Sequence, residues 1–215
     1  MSVQAIAASS SNGVTVSSNG SAHTKGNYAT LFASLTDDTS ELHLIFNNAA
    51  SSNRLYLIDI ATGAAASETV LIPNIGIRNL NANKYVIVNL GVDIAAGTRV
   101  SARCQDATGG GAIKISGVAL AKSSGDLRTG VSSSSDWVNP LANTGTSAFD
   151  VSVDGGGSAN TYSGSAGNIC NANAPIAATH MIVTTRDAAS ASGADAMARI
   201  KLNGTVITGV ENLYH

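Results

Sequence analysis

Asp93-Ile94-Ala95-Ala96-Gly97-Thr98-Arg99-Val100-Ser101-Ala102-Arg103-Cys104-Gln105 divides at Gly97 into a turn and a strand. After the glycine, Arg99, Ser101, Arg103 and Gln105 alternate with Val100, Ala102 and Cys104. That period of two sends successive side chains to opposite faces of a pleated strand. One face is apolar; the other carries two guanidinium groups. Two arginines on one covered face are costly unless carboxylates accept their donors. Asp59 and Glu68 lie on neighbouring predicted strands. A fork from Arg99 or Arg103 onto Asp59 or Glu68 is therefore expected, within the domain or across a subunit boundary.

The same rhythm extends in both directions. Tyr28, Thr30, Phe32 and Ser34 alternate with Ala29, Leu31, Ala33 and Leu35, and Thr36-Asp37-Asp38-Thr39 follows with turn-forming side chains. Leu42–Asn47, Arg54–Thr62, Thr69–Ile72, Tyr85–Leu90, Thr98–Gln105 and Ala112–Leu120 read as further strands, with Pro73 ending the third of these and Gly109-Gly110-Gly111 turning before the last. Short strands with turn signals at this spacing predict an all-β protein, a jelly-roll-like sandwich followed by a smaller β-rich C-terminal region. Residues 1–19 are small and polar around Gly13-Val14-Thr15-Val16 and read as an N-terminal arm or first edge strand. The sandwich spans 20–121, a Lys/Ser/Gly-rich linker 122–140, and a second β-rich domain 141–215. Gly26-Asn27-Tyr28 and Gly167-Asn168-Ile169 each open a strand after a Ser/Ala/Asn-rich lead, which raises a shortened internal repeat as one reading of the second domain.

Composition narrows the function. The chain of 215 residues is 44% hydrophobic, enough for a core, yet only 12% charged, against roughly 25% in ordinary usage. Serine, threonine, asparagine and glycine solvate the surface instead. A net charge of −2 provides no electrostatic footprint for a phosphate backbone, so nucleic acid is not an expected partner. The apolar runs fall far short of the roughly 20 residues that cross a bilayer, so no membrane insertion is expected. Met1-Ser2-Val3-Gln4 lacks a basic n-region and is read as carrying no secretory leader. Cys104 and Cys170 are read as free thiols, since two cysteines make neither a disulfide framework nor a zinc motif.

No catalytic constellation emerges from the residues. There is no Gly-x-Ser-x-Gly elbow, and no two of His23, His43, His180 and His215 have metal-ligand spacing. His43 and His180 fall inside strands and read as satisfied sheet residues. Asp59 and Glu68 are the one carboxylate pair that resembles the acid and base of a glycosidase. A structural role, accepting backbone N–H groups or an arginine fork, is the reading taken. No metal and no cofactor is expected. Trp137 and Tyr162, with Tyr214, are the aromatics from which a glycan contact would be built.

Asp59-Ile60-x-x-Gly63-x-x-x-Ser67-Glu68-x-x-Leu71-Ile72-Pro73 followed by Ile94-Ala95-Ala96-Gly97-Thr98-Arg99-x-x-x-Arg103-Cys104-Gln105 resembles β-sandwich structural proteins of tailed-bacteriophage virions. Ser21-Ala22-His23-Thr24-Lys25-Gly26 fits the same pattern, and Ala95 departs from it where proline is expected. The resemblance covers about residues 20–120. It implies a fibre, tail, neck or head-decoration component, made in a host cytoplasm and resident in the virion, with Asp59, Glu68, Arg99 and Arg103 as structural or assembly residues. Its partners would be copies of itself, a trimer being favoured because such appendages are often threefold, and other virion proteins. A receptor- or glycan-binding module of a phage appendage, with host surface glycan as partner, is the alternative, and a polysaccharide-degrading enzyme stands behind both.

Overall fold

The computed structural model describes residues 2–6, 13–48, 54–79, 85–124 and 130–136, and four two-residue strands between 197 and 214. The chain divides into two compact units, Met1–Asn139 with Asn143–Phe149, and Pro140–Ala142 with Asp150–His215.

The first unit holds nine strands: β1 (Val3–Ala5), β2 (Val14–Ser17), β3 (Ala29–Phe32), β4 (Thr39–Asn48), β5 (Arg54–Thr62), β6 (Thr69–Asn79), β7 (Tyr85–Ile94), β8 (Val100–Asp106) and β9 (Ala112–Ala121). They pair as one long antiparallel ribbon: β5 with β6, β4 with β7, β3 with β8, and β1 and β2 together with β9. Rolling that ribbon brings β9 beside β4 and β8 beside β5. Two sheets result, ordered β1-β9-β4-β7, with β2 also on β9, and β3-β8-β5-β6. This is jelly-roll connectivity. The chain is an all-β sandwich, as its alternation predicts.

The core lies between the sheets. Leu42, Leu44 and Phe46 of β4, Val88, Leu90 and Val92 of β7, and Ile113 and Ile115 of β9 are buried on one side. Tyr56, Ile58 and Ile60 of β5, Val100, Ala102 and Cys104 of β8, and Ile72, Ile75 and Ile77 of β6 are buried on the other. Ile72 and Ile75 stand three apart, a separation that puts a regular strand's side chains on opposite faces. Register resolves it: Ile58 pairs Ile75 and Ile60 pairs Ile72, so Asp59 alone faces Pro73 and Asn74. The extra residue is a β-bulge that returns Ile75 to the core. Asn74 adopts φ +55, the left-handed conformation that asparagine tolerates better than most residues.

Four expectations are revised or narrowed here. Pro73 does not end β6; a bulge accommodates a residue that cannot donate to the ladder, and the strand continues to Asn79. The strand expected over 28–35 is shorter, and a register shift between Thr30 and Phe32 buries Leu31 and Phe32 together. Of the two readings of residues 1–19, the edge strand is the one seen in their described parts: Val3–Ala5 and Val14–Ser17 form the edge of the first sheet, with Val16 fully buried. The expected linker is partly docked, for Lys122 N donates to Asp38 O (2.7 Å) and Val131 forms a parallel bridge to Val92.

In the second unit β10 (Met197–Ala198) pairs antiparallel with β13 (Leu213–Tyr214), and β11 (Lys201–Leu202) with β12 (Thr205–Val206). Trp137, Tyr162, Cys170 and His180, and the 167–169 half of the expected repeat, lie outside the described residues.

Candidate functional site

The strand after Gly97 forms as its alternation predicts, and Gly97 turns at φ +78. Register places Arg103 directly opposite Asp59, Ser101 opposite Ala61 and Gln105 opposite Leu57, on the face of the second sheet turned away from the core. Leu57, Ala61 and Ser101 are completely buried there and Asp59 nearly so. Part of the cover comes from the stretch between β2 and β3, which runs along β8 beyond β3: Gly26 N donates to Cys104 O (2.8 Å) and His23 N to Asp106 O (2.8 Å). Glycine is required at 26, because a Cβ there would sit 2.0 Å from the Ser17 carbonyl oxygen. That close approach carries Lys25 over β5.

Asp59 anchors the site. Its Oδ1 accepts from Lys25 Nζ (2.7 Å) and from the backbone N–H of Asn74 (3.0 Å), and its Oδ2 accepts from Arg103 Nε (2.9 Å). Lys25 also donates to Leu57 O (3.1 Å) and Asn74 Oδ1 (2.9 Å), so all three of its ammonium donors are engaged. Burial lowers the Lys25 pKa, and the attraction of Asp59 opposes that shift. The Arg103 guanidinium stacks on Tyr28, its carbon 4.7 Å from the ring centroid. Among the described residues its Nη1 and Nη2 have no protein acceptor. Arg103 borders an open depression of about 610 Å3, whose other lining residues include Thr24, Val70, Pro73, Gln105 and Ser134.

Arg99 and Glu68 make a second, separate pair. Arg99 Nη1 donates to Glu68 Oε1 (2.9 Å) and Gly63 O (3.2 Å), while Nε and Nη2 donate to Thr30 Oγ1. This ties the β5–β6 turn to β3 and β8. Partial burial would raise the Glu68 pKa, but the Arg99 hydrogen bond and nearby backbone donors hold it below the usual carboxylate range. Asp59 and Glu68, weighed above as an acid and base, are thus drawn to different cations.

Sequence reasoning missed a third cluster. Asp106 is fully buried; its Oδ2 accepts from Arg54 Nη1 (2.9 Å) and Ser18 Oγ (3.0 Å), and its Oδ1 from the backbone N–H groups of Thr108 (2.8 Å) and Gly109. Burial works to raise this carboxyl's pKa, and the backbone and Ser18 donors with Arg54 bring it below the ordinary value. The signal was present in Asp106-Ala107-Thr108-Gly109, an aspartate bonding its own backbone two and three residues on. Lys25, Tyr28 and Asn74 were also missed. Nothing local ties Lys25 to a strand 34 residues away, although Pro73-Asn74 inside a strand pattern was a sign of a bulge. His43, read as a satisfied sheet histidine, has Nε2 2.7 Å from Glu41 Oε2. Cys104 is a free buried thiol whose pKa burial pushes up to about 12, so it is no nucleophile at neutral pH.

The outward face of the first sheet is built differently. Ile45 stands opposite Ile87, Asn47 opposite Tyr85, and Val3 opposite Leu120. Tyr85, Ile87 and Val3 are 64%, 56% and 59% exposed. An aliphatic and aromatic stripe therefore faces solvent, sharing its face with Lys114, which stands opposite Asn47, and with the Glu41–His43 pair of β4.

The topology and these networks define a jelly-roll sandwich protein with a charged cluster on the outside of one sheet and exposed apolar side chains on the outside of the other. Compared with known proteins, the chain matches no family model, no curated protein and no solved structure.

Proposed function

We propose that the chain is a structural component of a bacteriophage virion, a fibre, tail, neck or decoration protein that acts through assembly contacts and performs no catalysis. The exposed face of the first sheet carries this reading. Large apolar side chains standing outward on a sheet are suited to burial against another protein surface. Jelly rolls are architectures that viral capsids and lectins share, and the resemblance of residues 59–73 and 94–105 points toward the first. Arg99–Glu68 and Arg103–Asp59 close within one chain. Their role in assembly is then to hold the sheet in shape, while the contacts fall to the outward face of the first sheet and to neighbouring virion proteins.

Sedimentation velocity at micromolar concentration should show a homo-oligomer, a trimer on the resemblance, and mass spectrometry of purified particles should find the chain at a fixed copy number. A stable monomer that also fails to bind particles would overturn the reading. The receptor- or glycan-binding alternative is favoured by a different observation, the depression beside Arg103.

A further inference from the structure

We propose that the depression beside Arg103 binds the carboxylate of an acidic sugar residue, of the uronate class. The inference rests on the glycan-binding reading and is independent of whether the chain assembles.

Charge is the first ground. Lys25 and Arg103 bring two positive charges to one carboxylate, Asp59, and no other described residue lining the depression is acidic. The donors of Lys25 are all engaged within the chain. The unmatched positive charge is therefore presented by Arg103, whose side chain is 32% exposed.

Geometry is the second. Arg103 is held by its Nε on Asp59 and by its stacking on Tyr28, so the free Nη1/Nη2 edge is oriented before a ligand arrives. An edge fixed in advance loses little further freedom on binding. Two parallel N–H groups on a planar guanidinium match the two oxygens of a carboxylate. One excess charge suits a monoanion better than a phosphate dianion, whose second charge would stay unmatched.

The rim is the third. Val70 and Pro73 supply an apolar wall, and the exposed Thr24 and Ser134 supply hydroxyl groups. A sugar ring has one C–H face and several hydroxyls, which such a mixed lining accommodates. A neutral sugar would leave Arg103 unmatched, and a bare carboxylate would leave the wall and hydroxyls unused.

The test uses the full chain labelled with 15N, following backbone amides and the arginine side-chain resonances during titration with sodium glucuronate, glucose and sodium acetate. Glucuronate should give saturable shifts at Arg103 and Ser134 in the millimolar range, glucose none, and acetate binding weaker by roughly tenfold. Ser134→Glu places a carboxylate at the exposed rim without touching any Asp59 contact, and should weaken glucuronate by roughly tenfold or more. Arg103→Lys keeps the charge and loses the fork; its spectrum should stay dispersed while binding falls. Absence of saturable shifts, equal response to glucose, or unchanged binding in Ser134→Glu would overturn the site. Acetate binding as tightly as glucuronate would overturn the sugar assignment, leaving a site for a protein carboxylate. None of these outcomes bears on the sedimentation result, so the two readings fail separately.

Discussion

The two sheets of the first unit alternate in the same way and use their outer faces oppositely. On the second sheet Asp59, Arg103 and Gln105 are drawn under Lys25 and the stretch before β3, and two cations share one carboxylate in a partly buried network. On the first sheet Ile87, Tyr85 and Val3 stand in solvent, and the charged residues of that face are few. A face whose polar groups are satisfied within the chain has little left to offer a partner except at its open edge, here Arg103. A face with unspent apolar surface gains most from a partner. Stability should therefore reside in the second sheet's exterior and association in the first's.

Removing Asp59 should separate the faces most sharply. Asp59→Ala leaves two cations without their carboxylate, and breaking a buried pair in this way costs about 3 kcal/mol or more. Urea denaturation followed by far-UV circular dichroism would register it as a lowered midpoint, and an unchanged midpoint would show the network to be surface decoration. Arg103→Ala should cost less, about 1.5 kcal/mol. Lys25 and Asp59 remain as a balanced pair, and the Arg103 side chain is already one-third exposed. If Arg103→Ala proved the more damaging of the two, charge balance would not be what holds this face.

Acid should act through the carboxylates of the other two clusters. Asp106 and Glu68 are held below their ordinary values of 3.8 and 4.5. The unfolded chain then takes up protons first as the pH falls. Their stabilisation is fully present above the ordinary values and is lost as the pH drops through the lower, folded-state ones. Stability measured at a series of pH values should fall below about pH 4, and Asp106→Asn should flatten that fall while lowering stability at neutral pH. An identical acid profile in the variant would remove Asp106 from the account.

The smallest effect on stability should come from the first sheet. Ile87→Asn replaces a side chain that is more than half exposed, so the denaturation midpoint should move by no more than about 0.5 kcal/mol. Its effect belongs in the ultracentrifuge, as a weaker association constant. A variant that associates as well as the parent would take the interface off this face.

Much of this was legible in the sequence, and the reason is periodicity. Alternation in 42–47, 54–62, 85–90, 98–105 and 112–120 located strands whose observed bounds lie close by, because side-chain period two is a local property of extended chain. The pairing of an arginine from 99 or 103 with Asp59 or Glu68 was legible too, since a covered strand face with two guanidiniums demands acceptors. Where local rules conflict, reading fails: Pro73 signals an end to a strand, and only the register of β5 shows that a bulge absorbs it.

By itself the sequence determined the class, all-β, and the sides on which β5, β7 and β8 carry their polar residues. Both follow from propensity and period, which act between neighbours. The tertiary structure alone decided that the ribbon rolls so that β9 meets β4 and β8 meets β5, and that residues 3–5 and 14–17 close the first sheet's edge. It alone brought Lys25 to Asp59 and left Arg103 with an unmatched edge. Those are encounters between residues tens of positions apart, selected by which apolar faces bury one another, and no local pattern records the outcome.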